Sequence, residues 1–88
     1  MEFRVLLHPK ASDYLTHLAP SYERKIMQLL RLLKKDPVPS RSFDVKKIVG
    51  KESTYRVRIG KYRIIYDIDF DSKAVYVTTI DLRKSAYD

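Results

Sequence analysis

The chain has 88 residues, no cysteine and a formal net charge of +7. Its length suits one domain over residues 1–88 with a single hydrophobic core, and the lack of cysteine excludes disulfides and thiolate metal sites. The positive charge favours a polyanion such as nucleic acid as partner, with a membrane surface as the alternative. The N-terminus lacks a signal-peptide pattern and no run approaches the ~20 apolar residues of a membrane span, so we expect a cytoplasmic protein.

The first forty residues predict a strand followed by two helices. Residues 2–8 have the composition of a strand, and Leu6 beside Leu7 indicates an end that is buried on both sides. Pro9 suits the first turn of a helix, because the N–H that it lacks would have no partner there. Pro20 begins a second helix, and Pro37 stops it. Apolar residues recur at helical spacing along both segments: Ala11, Tyr14, Leu15, Leu18, Tyr22, Ile26, Leu29, Leu30 and Leu33.

The second half of the chain predicts strands. Residues 55–59 and 62–67 alternate in the period of two that marks half-buried strands, and residues 74–82 form a final strand. Residues 41–50 are either irregular or a short edge strand. We therefore predict the α+β class, an antiparallel β-sheet meander packed by an N-terminal helical hairpin in the order β-α-α-β-β-β, with one further edge strand as the alternative.

The turn at Gly60 and Lys61 sets the register of the central hairpin. Glycine at the first central position suits a type II′ turn, which makes Arg58 face Arg63 with Arg56 on the same side. Arginine opposite arginine is unfavourable by an amount within the ~0.2–1 kcal/mol typical of cross-strand pairs. A bound anion would remove that penalty, since guanidinium groups match phosphate geometry. The alternative is a solvated outer face on which arginines keep an edge strand soluble.

The sequence offers few other groups for catalysis or cofactor binding. His8 and His17 have no partners at metal-ligand spacing, and with only Gly50 and Gly60 the chain has no glycine-rich phosphate loop. The serines have no evident base beside them. We therefore predict neither a metal nor a cofactor.

The C-terminal residues extend the basic pattern. A last strand paired with residues 62–69 would carry Arg83 back towards the turn, and so bring Arg83 and Tyr87 near Arg58 and Arg63. The alternative is a frayed basic tail.

Two stretches resemble the RelE/ParE toxin superfamily. They are Tyr-Arg-Val-Arg-Ile-Gly-Lys-Tyr-Arg-Ile-Ile-Tyr at residues 55–66 and Ile-Asp-Leu-Arg-Lys-Ser-Ala-Tyr at residues 80–87. The N-terminal strand and helical hairpin also follow the order of that superfamily, so the resemblance covers nearly the whole chain. Within the superfamily, the chain resembles the RelE-like members. It implies the toxin of a type II toxin–antitoxin system, a ribosome-dependent endoribonuclease that cuts mRNA in the A site through attack by the 2′-OH. It also implies contact with 16S rRNA and neutralisation by a RelB-like antitoxin.

The resemblance assigns roles to particular residues. It implies a catalytic set of Arg63, Arg83 and Tyr87, and an RNA-binding set of Arg56, Arg58, Lys61 and Lys84. Two arginines suit the developing dianionic phosphorane. A tyrosine acts as a base only if neighbouring guanidinium groups lower its pKa from about 10, and otherwise stacks on a nucleobase. Many relatives carry a histidine where this chain has Leu82, which makes ribosome-independent cleavage less expected.

Two other functions suit the same fold. One is a ParE-like inhibitor of DNA gyrase and the other is a basic RNA-binding module without catalysis. The set of arginines favours the nuclease, because a protein inhibitor needs no convergent arginine cluster. We also expect the apolar face of the two helices and a sheet edge to form a groove for the antitoxin peptide.

Overall fold

The computed structural model describes residues 2–82, which form two helices and a five-stranded sheet. In chain order the elements are β1 (Arg4–Leu7), α1 (Pro9–Thr16), α2 (Pro20–Leu33), β2 (Asp44–Lys47), β3 (Thr54–Ile59), β4 (Tyr62–Asp69) and β5 (Ala74–Leu82). The predicted α+β class and the order of the elements are confirmed, and the region 41–50 supplies the further edge strand. Within residues 2–82, no helix has the length and apolar content needed to cross a membrane.

Both helices begin at a proline. Pro9 and Pro20 each occupy a first-turn position, where a missing N–H leaves no intrahelical bond unmade. His8 caps α1, because its Nδ1 accepts a hydrogen bond from the backbone N–H of Lys10 at 3.0 Å. Ala19 precedes α2 and makes no such side-chain bond, so the second helix depends more on packing of its apolar face than on its cap.

The sheet is mixed, with the strand order β1-β5-β4-β3-β2. The predicted antiparallel meander is confirmed for β2 to β5. However, β1 runs parallel to β5, with Arg4 opposite Ala74 and Leu7 opposite Val77. The helical hairpin carries the chain from β1 at one edge to β2 at the other, and the meander returns with β5 beside β1. Because a long crossover carries no turn signal that fixes strand direction, alternation in the sequence did not reveal this pairing.

The core lies between the helices and one face of the sheet. On α2, the side chains of Ile26, Leu29 and Leu33 are fully buried. The buried apolar residues of both helices belong to this core. A groove does open between α2 and the sheet edge, lined by Leu32, Phe43 and Ile59 among others, and its use by an antitoxin peptide stays a prediction. The sequence predicts that Leu6 is buried, but its side chain is 41% exposed on the side of the sheet that points away from the helices. The remaining buried residues of the cluster are Ala11, Leu15, Leu30, Val57, Ile59, Ile64, Tyr66, Ile68, Val75, Val77 and Ile80.

An irregularity in β5 keeps apolar side chains from both halves of that strand in the core. Ile65 lies opposite Thr79, but the next residue, Tyr66, lies opposite Val77, so Thr78 is an extra residue. Simple alternation after Val77 would direct residues 79 and 81 towards the helices. The bulge instead buries Ile80, which turns residues 79 and 81 to the other face.

Tyr66 is the largest fully buried side chain. Its hydroxyl donates a hydrogen bond to the carbonyl oxygen of Pro37 at 2.7 Å, which ties the sheet to the segment after α2. Its ring stacks on Tyr55 with the ring centroids 5.9 Å apart. Burial, followed by the effects of Tyr55 and Asp36, raises the pKa of Tyr66 well above its ordinary value.

We expect Tyr66→Phe to lower the free energy of unfolding at pH 7 by about 1 kcal/mol, because it leaves the Pro37 carbonyl without its donor. A raised pKa in the folded state stabilises the fold below pH 10.0, the ordinary tyrosine pKa, and this stabilisation is lost as pH rises above that value. The difference between the two proteins should therefore shrink at alkaline pH. Urea unfolding at pH 7 and above pH 10 measures it.

The matched control is Tyr76→Phe, which changes a tyrosine that is 40% exposed. Its stability at pH 7 should equal that of the parent protein. A Tyr66→Phe deficit that stays constant across the alkaline range would contradict the assignment.

Candidate nucleic-acid interface

The face of the sheet that points away from the helices, here called the open face, carries the arginines predicted as site residues. The predicted register of the hairpin is confirmed, since Arg58 lies opposite Arg63 and Arg56 lies opposite Ile65. All three arginines are partly buried. The Nε atom of Arg58 is buried and has no hydrogen-bond partner within residues 2–82, which leaves an unsatisfied buried donor on this face.

Strand β2 adds lysines that the sequence analysis did not assign to the site. Lys46 lies opposite Arg56, and a groove of about 330 Å³ opens beside them. Its lining is Lys46, Lys47, Ile48, Val49, Arg56, Arg63 and Ile65. The alternation of Asp44, Val45 and Lys46 is the sequence signal that could have found these lysines. It is weak because the strand that contains it, β2, is only four residues long.

Two rows of side chains cross the open face. The first, which we call the acid-flanked row, consists of Asp44, Arg58, Arg63 and Asp81. The second, the basic row, consists of Lys46, Arg56, Ile65 and Thr79. The acid-flanked row has zero formal charge, whereas the basic row has a formal charge of two positive units. Counted over these described residues, a phosphate is therefore attracted more strongly along the basic row than along the acid-flanked row.

The acid-flanked row resolves the unfavourable pairing of Arg58 with Arg63. Asp81 accepts two hydrogen bonds from Arg63, from Nε at 2.7 Å and from Nη2 at 3.2 Å. The two side chains are 31% and 37% exposed, so the pair stabilises the fold by only about 1 kcal/mol or less. Acids at both ends of the row offset the repulsion between its arginines, and an anion is not required for the fold.

The turn is built as predicted and is packed against α2. Gly60 has a φ of +57°, whereas Lys61 keeps a negative φ, as a type II′ turn requires. A Cβ atom at Gly60 would lie 2.6 Å from Cε1 of Tyr22. The ring of Tyr22 in turn meets the ring of Tyr62 edge-on, with the centroids 4.8 Å apart. The close approach of the α2 side chain therefore adds a second reason for glycine at this position.

The structure does not bring Lys61 into the arginine cluster. Its Nζ lies 5.6 Å from the ring centroid of Tyr62, and Tyr62 is a buried residue on the helix-facing side of the sheet. Tyr14 also packs edge-on against Tyr62. Burial, with smaller effects from Tyr62 and Asp81, raises the pKa of Tyr14, which disfavours the ionised form of its hydroxyl.

Three of the predicted site residues, Arg83, Lys84 and Tyr87, lie outside the described residues, and their roles stay predictions. The predicted pairing that leads towards them is confirmed, because Leu82 at the end of β5 lies opposite Tyr62. Among residues 2–82 there is no cluster of three or more potential metal ligands.

Comparison with known proteins agrees with this architecture. A RelE–RelB complex from Pyrococcus horikoshii contains a chain that superposes with a TM-score of 0.86 and 30% identity, over 96% of this chain and 98% of that one. A RelB–RelE complex from Methanococcus jannaschii gives a TM-score of 0.76 and 25% identity, over 94% of this chain and 95% of that one. The fold is that of the RelE-like toxins.

Comparison of the sequence with known proteins supports the same group of toxins. RelE1 of Methanocaldococcus jannaschii is 37% identical over 87 residues, which are 99% of this chain and 97% of the relative. Residues 5–87 match the profile described as the ParE toxin of type II toxin–antitoxin systems, parDE. The chain belongs to this ParE toxin family, within the wider RelE-like superfamily of type II toxins.

The two glycines provide a matched test of the turn. Both have positive φ, but Gly50 has open space where a Cβ would lie, whereas Gly60 has the ring of Tyr22. We expect Gly50→Ala to lower the free energy of unfolding by about 1 kcal/mol through backbone strain, and Gly60→Ala to lower it by about 2–4 kcal/mol through strain and overpacking. Urea unfolding measures both. Equal losses would mean that Tyr22 yields freely and that only the turn demands glycine.

Proposed function

We propose that this protein is a ribosome-dependent mRNA endonuclease, the toxin of a type II toxin–antitoxin pair, and that it cuts mRNA in the A site. The observation that carries the proposal is the concentration of Arg56, Arg58 and Arg63 on one face of one hairpin, beside a groove that β2 lines with lysines. Such a face suits a phosphodiester backbone, because each guanidinium supplies several donors in a planar fork. Contact with 16S rRNA would hold the toxin on the ribosome.

Cleavage by the 2′-OH forms a bond from O2′ to phosphorus and breaks the bond from phosphorus to the 5′ oxygen. It needs a group that accepts the 2′-OH proton, a proton for the departing 5′ oxygen, which water can supply, and cations that stabilise the phosphorane. In this proposal Arg63 and Arg83 donate hydrogen bonds to the phosphate oxygens. Tyr87 in its deprotonated form accepts the 2′-OH proton, or in its neutral form stacks on a nucleobase. Arg56 and Arg58 position the backbone. An arginine stays protonated and cannot act as the base.

The histidines do not supply the missing base on the open face. His8 and His17 lie at opposite ends of α1, on the other side of the sheet, and each uses its Nδ1 in a bond with the helix backbone. The resemblance implies a histidine in many relatives at the position of Leu82, and this chain lacks it. A weak acid–base set is consistent with dependence on the ribosome to orient the substrate, since positioning alone can supply a large part of a rate enhancement.

The proposed protein partner is a RelB-like antitoxin. Two of the similar structures are complexes of RelE with RelB, and we extend that pairing to this chain. Leu6 and Tyr76 lie opposite one another across the parallel strands, near one edge of the open face, and are 41% and 40% exposed. They offer an apolar contact that a neutralising peptide would bury.

A ParE-like inhibitor of DNA gyrase is the second candidate, because the matching family profile takes its name from the parDE system. In that case the partner is a protein, and the arginines of the open face serve binding alone. A non-catalytic RNA-binding module is the third possibility on the same surface.

Cell-free translation with the purified protein distinguishes these functions. We expect mRNA cuts in step with the reading frame, mapped by primer extension, that occur only when ribosomes are present. Intact mRNA with unaffected translation would reject the nuclease proposal, and a gyrase supercoiling assay would then test the second candidate.

Single substitutions test the arginines. We expect Arg63→Ala and Arg83→Ala each to lower the cleavage rate by about 100-fold, the loss typical of one removed transition-state donor. The melting temperature should change little in Arg83→Ala and should fall by roughly a few degrees in Arg63→Ala, which also loses the pair with Asp81. The matched control is Arg24→Ala, which removes the same charge from an exposed position on α2. A large fall in melting temperature for Arg83→Ala would make that residue structural. Unchanged cleavage by Tyr87→Phe would exclude Tyr87 as the base.

A further inference from the structure

Asp81 is an acid at one end of a row that contains two arginines, and the bulge in β5 is what puts it there. Without the extra residue Thr78, position 81 would face the helices, where the neighbouring side chains form the apolar core. With the bulge, Asp81 lies directly opposite Arg63 on the open face. A surface selected only to attract phosphate would not place an acid beside its central arginine, so this acid needs a physical explanation.

The geometry of the pair constrains the arginine strongly. Asp81 Oδ1 accepts from Nε of Arg63 at 2.7 Å and Oδ2 accepts from Nη2 at 3.2 Å. Two parallel bonds to one carboxylate fix both the position and the plane of a guanidinium. An arginine side chain has several rotatable bonds and loses much rotamer freedom when it is ordered. Asp81 therefore orders Arg63 before any substrate arrives.

We propose that Asp81 is a positioning residue that holds the Arg63 guanidinium in the orientation needed to meet the scissile phosphate. This proposal rests on the proposed nuclease function. Asp81 cancels one positive charge that would attract the RNA backbone, but it orients Arg63. Lys46 and Arg56 of the basic row supply the attraction for the backbone instead. The two rows therefore have different roles. The basic row binds the RNA backbone, and the acid-flanked row holds one hydrogen-bond donor, Arg63, in a fixed orientation.

The other end of the acid-flanked row supplies a control. Asp44 lies opposite Arg58 and carries the same charge as Asp81. Within residues 2–82, its side chain makes no hydrogen bond or ion pair. Asp44→Asn and Asp81→Asn therefore change the formal charge of the row equally, but only Asp81→Asn breaks a contact to an arginine.

The first experiment measures orientation without using activity. In the full-length protein, the Nε–H of Arg63 should give a slowly exchanging resonance in nitrogen-15 NMR spectra, assigned by its loss in Arg63→Lys. We expect that resonance to shift and to exchange faster in Asp81→Asn, and to stay unchanged in Asp44→Asn. An unchanged resonance in Asp81→Asn would overturn the proposal.

The second experiment measures cleavage of mRNA on programmed ribosomes. We expect Asp81→Asn to lower kcat by about 10- to 100-fold, the scale expected from a misplaced catalytic group, while KM stays equal or falls because the surface becomes more positive. Asp44→Asn should change kcat much less than Asp81→Asn does. Asp81→Glu, which retains the carboxylate, should recover part of the lost rate. In an Arg63→Lys background, Asp81→Asn should have less than a twofold further effect, since the bidentate contact is already gone.

The outcomes separate the two proposals. Equal losses in both asparagine variants would assign the effect to charge and overturn the positioning role, as would an Asp81→Asn variant with normal kcat. If the parent protein does not cut ribosome-bound mRNA, the nuclease function fails, while the NMR comparison still decides whether Asp81 orients Arg63. If Asp81→Asn does not fold, Asp81→Glu and the Arg63→Lys variant supply the same comparison.

Discussion

The register of the β3–β4 hairpin is the constraint on which both faces of this protein depend. Side chains alternate along a strand with a period of two, so a slip of one residue would move every side chain to the opposite face. Val57 and Ile64 would then leave the core, and Arg58 and Arg63 would enter it. The turn at Gly60 prevents the slip, because it requires positive φ and because Tyr22 fills the space of a side chain there.

A second register, that of β4 with β5, depends on a single extra residue. The bulge at Thr78 allows Val77 and Ile80 to share the core although three positions separate them. The same step turns Asp81 outward, opposite Arg63. Packing and surface chemistry are thus coupled here, since any change that removed the bulge would bury an acid at the same time as it exposed an isoleucine.

Local signals in the sequence predicted most of the fold. The hairpin and the final strand were predictable because short turns and strict alternation fix them within a few residues. Three features depended on distant contacts and were not predicted: the parallel direction of β1, the exposure of Leu6 and the ion pair of Arg63 with Asp81. The basic open face was predictable from the hairpin alone, whereas Lys46 joined it only through a four-residue edge strand with a weak pattern.

The ion pair alters what the net charge of +7 means for this surface. Composition alone suggests that every arginine attracts phosphate, but half of the charge on the acid-flanked row is acidic, and the attraction lies mainly along Lys46 and Arg56. An enzyme that bound RNA by charge alone would gain affinity from each acid that it lost. An enzyme that depends on a fixed donor would instead lose rate when Asp81 is neutralised, even as it bound more tightly. In the proposed nuclease, affinity and rate would therefore move in opposite directions at this position, as expected of a site whose catalysis comes from orientation more than from acid–base chemistry.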